Sequence, residues 1–138
     1  MKERGARGSA AVELVIITPL LILLLLLVVG SGRLVSAGMD VNGAAQDAAR
    51  AASLASDPST ATADAQAAVD ATLGNHGVTC RSLDVTTKTA SFYSGGWVSV
   101  DVTCSVDLSD MTLLRWPGME TVHAHFVEPI DTYRSAGS

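Results

Sequence analysis

From Leu14 to Gly32 the chain carries no charged side chain: the stretch reads LVIITPLLILLLLLVVGSG, with Glu13 before it and Arg33 after it. Wound as an α-helix at about 1.5 Å per residue, those roughly 19 residues span about 28 Å. A bilayer's hydrocarbon core is about 30 Å thick. The segment is therefore long enough to cross a membrane once. Its flanks set a direction. Lys2, Arg4 and Arg7, opposed only by Glu3, precede the span, and Arg33 follows it. Positive charge favours the cytoplasmic side, so the N-terminus is expected inside the cell and the rest of the chain outside it.

Without that block the chain has a different character. Its 138 residues leave room for one modest domain. The exported part is rich in Ala, Ser, Thr, Gly and Asp and poor in aromatics, so it buries a small core and is marginal by itself. A net charge of −5, with basic residues clustered only in the first eight positions, argues against a nucleic-acid partner. It suits an exported soluble surface. Cys80 and Cys104 both fall in this part. In an oxidising compartment an even count favours one disulfide, with two buried thiols as the plain alternative. Zinc is disfavoured, because the pair has no partner pair at ligand spacing.

Past Arg33 the helical pattern continues. Leu34, Gly38, Val41, Ala45, Ala48 and Ala52 recur at alternating spacings of four and three, a single helical face lined by small residues. Small side chains let helices approach closely. One long helix is expected from about Ala10 to Leu54, with Pro19 loosening or kinking it. Asp57-Pro58 starts a second helix, as N-cap and first helical residue. Its inner stripe is Ala61, Ala65, Ala68, Val69, Thr72 and Leu73, and Gly74 is the expected stop.

From Val78 the period becomes two. Val98, Val100, Val102, Cys104, Val106 and Leu108 alternate with polar residues, the clearest strand in the chain. Leu83 and Val85 belong to an earlier strand, and Ser94-Gly95-Gly96 supplies the turn between the two. Cys80 has the opposite parity to Leu83, which calls for a bulge or bend. A third strand is expected over about Thr121 to Val127. The fold class is α+β: a long N-terminal transmembrane helix continuing into an exported domain with a second helix and a small antiparallel sheet. The expected divisions are a leader (1–8), the long helix (9–55, spanning the membrane over about 14–32), the α+β domain (56–130) and a flexible tail (131–138).

At the membrane edge the sequence reads Arg7-Gly8-Ser9-Ala10-Ala11-Val12-Glu13-Leu14. A basic leader, a glycine and a glutamate five residues on resemble the processing site of type IV pilins. The resemblance implies that a prepilin peptidase cuts between Gly8 and Ser9. Glu13 then becomes the fifth residue of the mature chain. A carboxylate deep in a bilayer costs about 2.5–3.5 kcal/mol unless a cation meets it, and the new amino group of a neighbouring subunit's Ser9 would be that cation. Residues 7–50 as a set resemble the N-terminal domain of TadE-like proteins, minor pseudopilins of tight-adherence (Tad) pilus systems. The matching features are the RG-x-x-x-VE core, Pro19, the Leu-rich run and the N-x-A-A-x-x-A-A-R ending at Arg50. Assembly contacts are expected at Glu13 and Pro19 from the resemblance, and at Gly38 and Ala45 from the small-residue face. The resemblance also implies other pilin or pseudopilin subunits and the pilus assembly platform as partners, beside the lipid membrane. For the small-residue face, packing on its own domain is the competing reading.

Nothing else in the chain points to catalysis. There is no nucleophile elbow, phosphate-cradling loop or pair of carboxylates in an apolar setting, so neither enzyme activity, nor a cofactor, nor a small-molecule substrate is expected. His123 and His125 share a strand face, but no third ligand is fixed near them and no metal is expected. Asp101 and Asp107 read as solubilising. Met111, Leu113, Leu114 and Trp116 form an apolar run that reads as cover for the sheet edge, with an exposed partner surface as the alternative. Two alternatives compete with the pilin-like reading. One is a secreted protein cut after Val35-Ser36-Ala37, which the length of the apolar run, Glu13 and Arg33 all oppose. The other is a signal-anchored extracytoplasmic interaction domain unrelated to pili.

Overall fold

The computed structural model describes residues 5–107 and 118–133, with side chains described from Val12 onward except at residues 33 and 34. Five elements follow in order: α1 (Gly5–Leu54), α2 (Pro58–Asn75), β1 (Ser82–Lys88), β2 (Trp97–Asp107) and β3 (Met119–Pro129). The expected α+β class is observed. Leu108, the run from Met111 to Trp116, the first four leader residues and the tail from Arg134 lie outside the described residues. The chain divides after Val35 into two compact units, and each is considered by itself.

In the first unit α1 begins at Gly5, several residues ahead of the expected start, and runs through Pro19 without a break in the helix. Proline removes one backbone donor. Nearby, the Thr18 hydroxyl donates to the Leu14 carbonyl at 2.6 Å, and Ser31 donates to the Leu27 carbonyl at 2.8 Å. Both hydroxyls are satisfied within the helix, as apolar surroundings require.

The second unit holds the last part of α1, α2 and the sheet. Asp57 caps α2 as its sequence suggests: its carboxylate accepts from the backbone N–H groups of Ser59 and Thr60, each at 3.0 Å. The hydroxyls of Ser59 and Thr60 donate to it as well. The C-terminus departs from expectation. Gly74 stays helical, and the stop is Gly77, at φ +67°. Gly77 N–H reaches the Gly74 carbonyl at 3.2 Å and Val78 N–H the Leu73 carbonyl at 3.0 Å. That is a Schellman closure, in which the left-handed residue is the one glycine tolerates best. Ending the helix there lets the apolar Val78 pack beside the core.

The sheet is an antiparallel meander in the order β1-β2-β3. Val102 of β2 stands opposite Val85 of β1 and Ala124 of β3. The same parity puts Leu83, Val100, Cys104, Val122 and Phe126 on that face. It closes one core with Val41, Ala44, Ala45, Ala48, Ala49 and Ala52 of α1 and Ala61, Ala65, Val69 and Leu73 of α2. Two polar contacts tie the helices together: His76 Nδ1 to Asp40 at 2.9 Å and the Thr72 hydroxyl to Asp47 at 3.0 Å. The backbone bends at Arg81, between Cys80 and β1, which resolves the parity mismatch.

The β1–β2 connection is longer than a simple Ser94-Gly95-Gly96 turn, and it is tied to the end of β3. Gly95 N–H donates to the Ile130 carbonyl at 3.1 Å, and Ile130 N–H donates to that of Gly96 at 2.9 Å. Gly95 has φ +80°. A Cβ on Gly96 would lie 2.0 Å from the Ser91 carbonyl oxygen, whereas one on Gly43, inside α1, meets nothing within 4 Å.

Two outcomes are expected from thermal and denaturant unfolding of the full chain in detergent. Gly96→Ala should sharply destabilise the domain, since backbone must move to admit the methyl. Gly43→Ala should stabilise it by about 0.5–1 kcal/mol, because alanine loses less chain entropy in a helix. The hydrogen bonds from Ser59 and Thr60 also hold Asp57 far below the usual carboxylate range. A depressed value means that its stabilisation is complete above the unfolded-state value near 4 and fades as the pH drops below it. The stability difference between wild type and Asp57→Asn should therefore shift against the wild type below about pH 4. A difference constant from pH 7 to 2.5 would refute this role for the cap.

Candidate membrane anchor and assembly segment

Residues 12–32 put the apolar run on the outside of α1 on every side. Val15 is 72% and Ile17 41% exposed, Leu14, Leu20, Leu21, Leu23, Leu25 and Leu27 are all exposed, and Leu26 is half-buried. Moving one such side chain from water to an apolar phase gains roughly 1.5–3 kcal/mol. An exposed stripe would suit a groove, but a helix apolar all round suits a medium that surrounds it. One helix among the described residues is long and apolar enough to cross a membrane. The structure thus contains one candidate membrane span, at the N-terminal end.

The residues picked out at the membrane edge share this helix. Gly8 and Ser9 lie in its first turns. Glu13 is exposed, one residue ahead of the uncharged run, and Pro19 is exposed inside it. Gly38 and Ala45 belong to the second unit and part company there. Gly38 is half-buried, and an added Cβ would touch nothing within 4 Å; its carbonyl accepts from the Asn42 amide at 2.8 Å. Ala45 is 0% exposed within its own chain. This corrects the expectation that Ala45 is an assembly contact: the small-residue face covers its own domain, so the side chain has no surface left for a neighbour.

Cys80 and Cys104 form a disulfide, with Cα atoms 5.4 Å apart. It ties the segment before β1 to the centre of β2, on the face that meets the helices. Beside it, Arg81 reaches Asp107 at 2.6 Å.

The apolar helix, its glutamate and the small-residue continuation lie on one element, and a comparison with known families matches that element. Residues 8–50 match the TadE-like protein family. The TadE-like segment spans Gly8, Ser9, Glu13, Pro19, Gly38 and Ala45 and ends at Arg50, near the end of α1. Its resemblance links this part of the chain to Tad pilus systems. No curated protein and no solved structure matches the chain. The domain that follows the TadE-like segment is thus described by its own geometry.

That geometry holds a cluster that the sequence reading missed. Asp101 and Asp107 read there as solubilising charges, and His123 and His125 as strand-face histidines without a metal. Instead Asp101 forms an ion pair with Lys88 Nζ at 2.7 Å and accepts from His125 Nδ1 at 2.6 Å, and Asp107 pairs with Arg81. The Lys88 ammonium does most to hold the Asp101 carboxyl below its usual range; burial opposes it, and His125 adds to the lowering. His123 Nδ1 lies 3.1 Å from the Thr103 hydroxyl. Strand parity put Asp101 and His125 each on a wet face, but only the register makes them neighbours.

The disulfide closes a loop of 24 residues' separation, and such a crosslink contributes about 3 kcal/mol. Cys80→Ser should lower the unfolding free energy of the full chain by about that amount, with membrane association unchanged. Equal stability of wild type with and without reductant would contradict it.

Proposed function

We propose that this chain is a membrane-anchored minor pseudopilin that takes part in assembling a Tad-type pilus for adhesion or surface attachment, and that it is not an enzyme. The observation that carries the reading is the coincidence of the family match over residues 8–50 with a helix exposed on all sides and headed by Glu13. The N-terminus lies in the cytoplasm and the α+β domain outside, in keeping with the basic leader. A prepilin peptidase cuts between Gly8 and Ser9, where a glycine lets the enzyme approach the backbone.

Glu13 then meets the new amino group at Ser9 of a neighbouring subunit. Both charges gain, since an unpaired carboxylate at the membrane edge is unfavourable and a paired one is not. The apolar turns from Leu14 onward supply the packing surface toward other pilin or pseudopilin subunits, with Pro19 exposed among them. Ala45 takes no part in that contact, being spent on the domain's own core. The partners are therefore the lipid membrane, the peptidase, other subunits and the assembly platform.

In cells lacking the wild-type copy, Gly8→Val should leave the leader attached. Glu13→Ala should leave membrane insertion and cleavage intact while reducing surface pili, because tethering needs only the apolar span. N-terminal sequencing should give Ser9. A start at Gly38 would mean ordinary secretion, an uncut chain would leave only an anchored domain, and normal piliation with Glu13→Ala would remove the carboxylate from assembly.

A further inference from the structure

The face of the sheet turned away from the helices is not uniformly polar. Lys88, Ser99 and Val127 form one row across β1, β2 and β3, and Thr86, Asp101 and His125 form the next. Trp97 stands beyond the first row on β2. Ser99 is the smallest side chain in this neighbourhood, so the surface dips above it. The result is a cleft of about 340 Å³ lined by Lys88, Trp97, Ser99, His125 and Val127. Ser99 is only 1% exposed although it points to the outer face, while Trp97 keeps 44% of its surface open. A volume of this size is at the small end of ligand sites.

The polar groups around the cleft are fixed rather than free. Asp101 lies between Lys88 and His125 and holds both, at 2.7 and 2.6 Å. An ionised carboxylate only accepts, so the proton in the His125 contact sits on Nδ1. Nε2 is then left for a ligand, an acceptor in the neutral ring and a donor in the charged one. Lys88 keeps further N–H donors beyond the one given to Asp101. The rim therefore offers two polar nitrogens side by side, with the lysine charge balanced by Asp101. A hydroxyl, which both donates and accepts, matches this pair. A carboxylate or phosphate does not, since it would face the Asp101 carboxylate.

We propose that this cleft binds a neutral saccharide, one face of a sugar ring lying against the indole of Trp97 and the aliphatic Val127, and its hydroxyls bridging Lys88 and His125. Sugars combine an apolar C–H face with a polar edge, and an exposed indole beside directed hydrogen-bonding groups presents the complementary pair of surfaces. Asp101 acts as a positioning residue. Tyr93 and Tyr133, 64% and 95% exposed, stand at the same end of the sheet. The Gly96 N–H bond to the Tyr93 carbonyl and the Ser94 hydroxyl bond to the Thr132 carbonyl hold their backbones there.

The proposal draws on the exported orientation only for the source of the sugar; the cleft itself is tested without it. The full chain in phosphatidylcholine nanodiscs, free of sugar-headed detergent, is examined by saturation-transfer NMR. The probes are lactose, cellobiose and N,N′-diacetylchitobiose, with sialic acid and inorganic phosphate as the anionic set. At least one neutral disaccharide should receive saturation. Trp97→Ala should weaken that binding about three- to tenfold, the size of an aromatic contact. His125→Ala, at a half-exposed side chain, should weaken it too, and Asp64→Ala on α2 should leave it unchanged. Circular dichroism of each variant checks the fold. If Trp97→Ala fails to fold, Trp97→Phe, which keeps a smaller ring, replaces it and should show a partial loss. The idea is overturned by no transfer to any neutral sugar, by binding of the anionic probes alone, or by sugar binding that neither cleft variant changes. None of those results bears on Gly8 processing or Glu13, so the pilus reading would stand or fall separately.

Discussion

The small side chains along one face of α1 set the terms for everything outside the apolar run. Val41, Ala44, Ala45, Ala48, Ala49 and Ala52 are fully buried, and five of these six are alanine. Alanine gives little apolar area per residue, but it lets a helix backbone come close to whatever covers it. The partners answer in kind. α2 presents Ala61, Ala65 and Val69, and β2 presents a row of valines with Cys104 among them. The core is thin, and close approach replaces bulk.

A thin core needs help at its edges, and the chain supplies it by short-range chemistry. Asp57 closes the start of α2, and Gly77 closes its end in a conformation that most residues resist. The Cys80–Cys104 bond clamps the approach to β1 onto the middle strand. Gly95 and Gly96 let the β1–β2 connection sit against Ile130, which joins the first hairpin to the last strand. Each device acts where the apolar surface is too small to hold the chain by itself.

The same economy explains how the two parts of the molecule divide their work. Residues 12–32 keep nearly all of their apolar surface turned outward, ready for lipid and for other helices. The Ala-lined portion that follows keeps its surface for its own domain. A pseudopilin role asks for both: a span that packs between subunits and a folded head whose outer faces remain open. Among the described residues the outer sheet face carries the charged, imidazole and indole groups, whereas the inner face is apolar.

The sequence by itself determined the elements whose signals are local. A charge-free run about as long as a bilayer's hydrocarbon core is thick, an Asp-Pro cap and a strict alternation in β2 each follow from neighbouring residues, and each appears where expected. The family resemblance was legible for the same reason, because its glycine, glutamate and proline lie within one short stretch. Tertiary structure decided what depends on partners far apart in the chain. Gly77 rather than Gly74 ends α2, because Val78 has a core to pack against. Ala45 faces its own domain, a choice that helical periodicity leaves open between two possible neighbours. The Lys88–Asp101–His125 cluster exists only in one register of three strands: a strand residue's face follows from parity, but its neighbour across the sheet follows from how the strands are aligned.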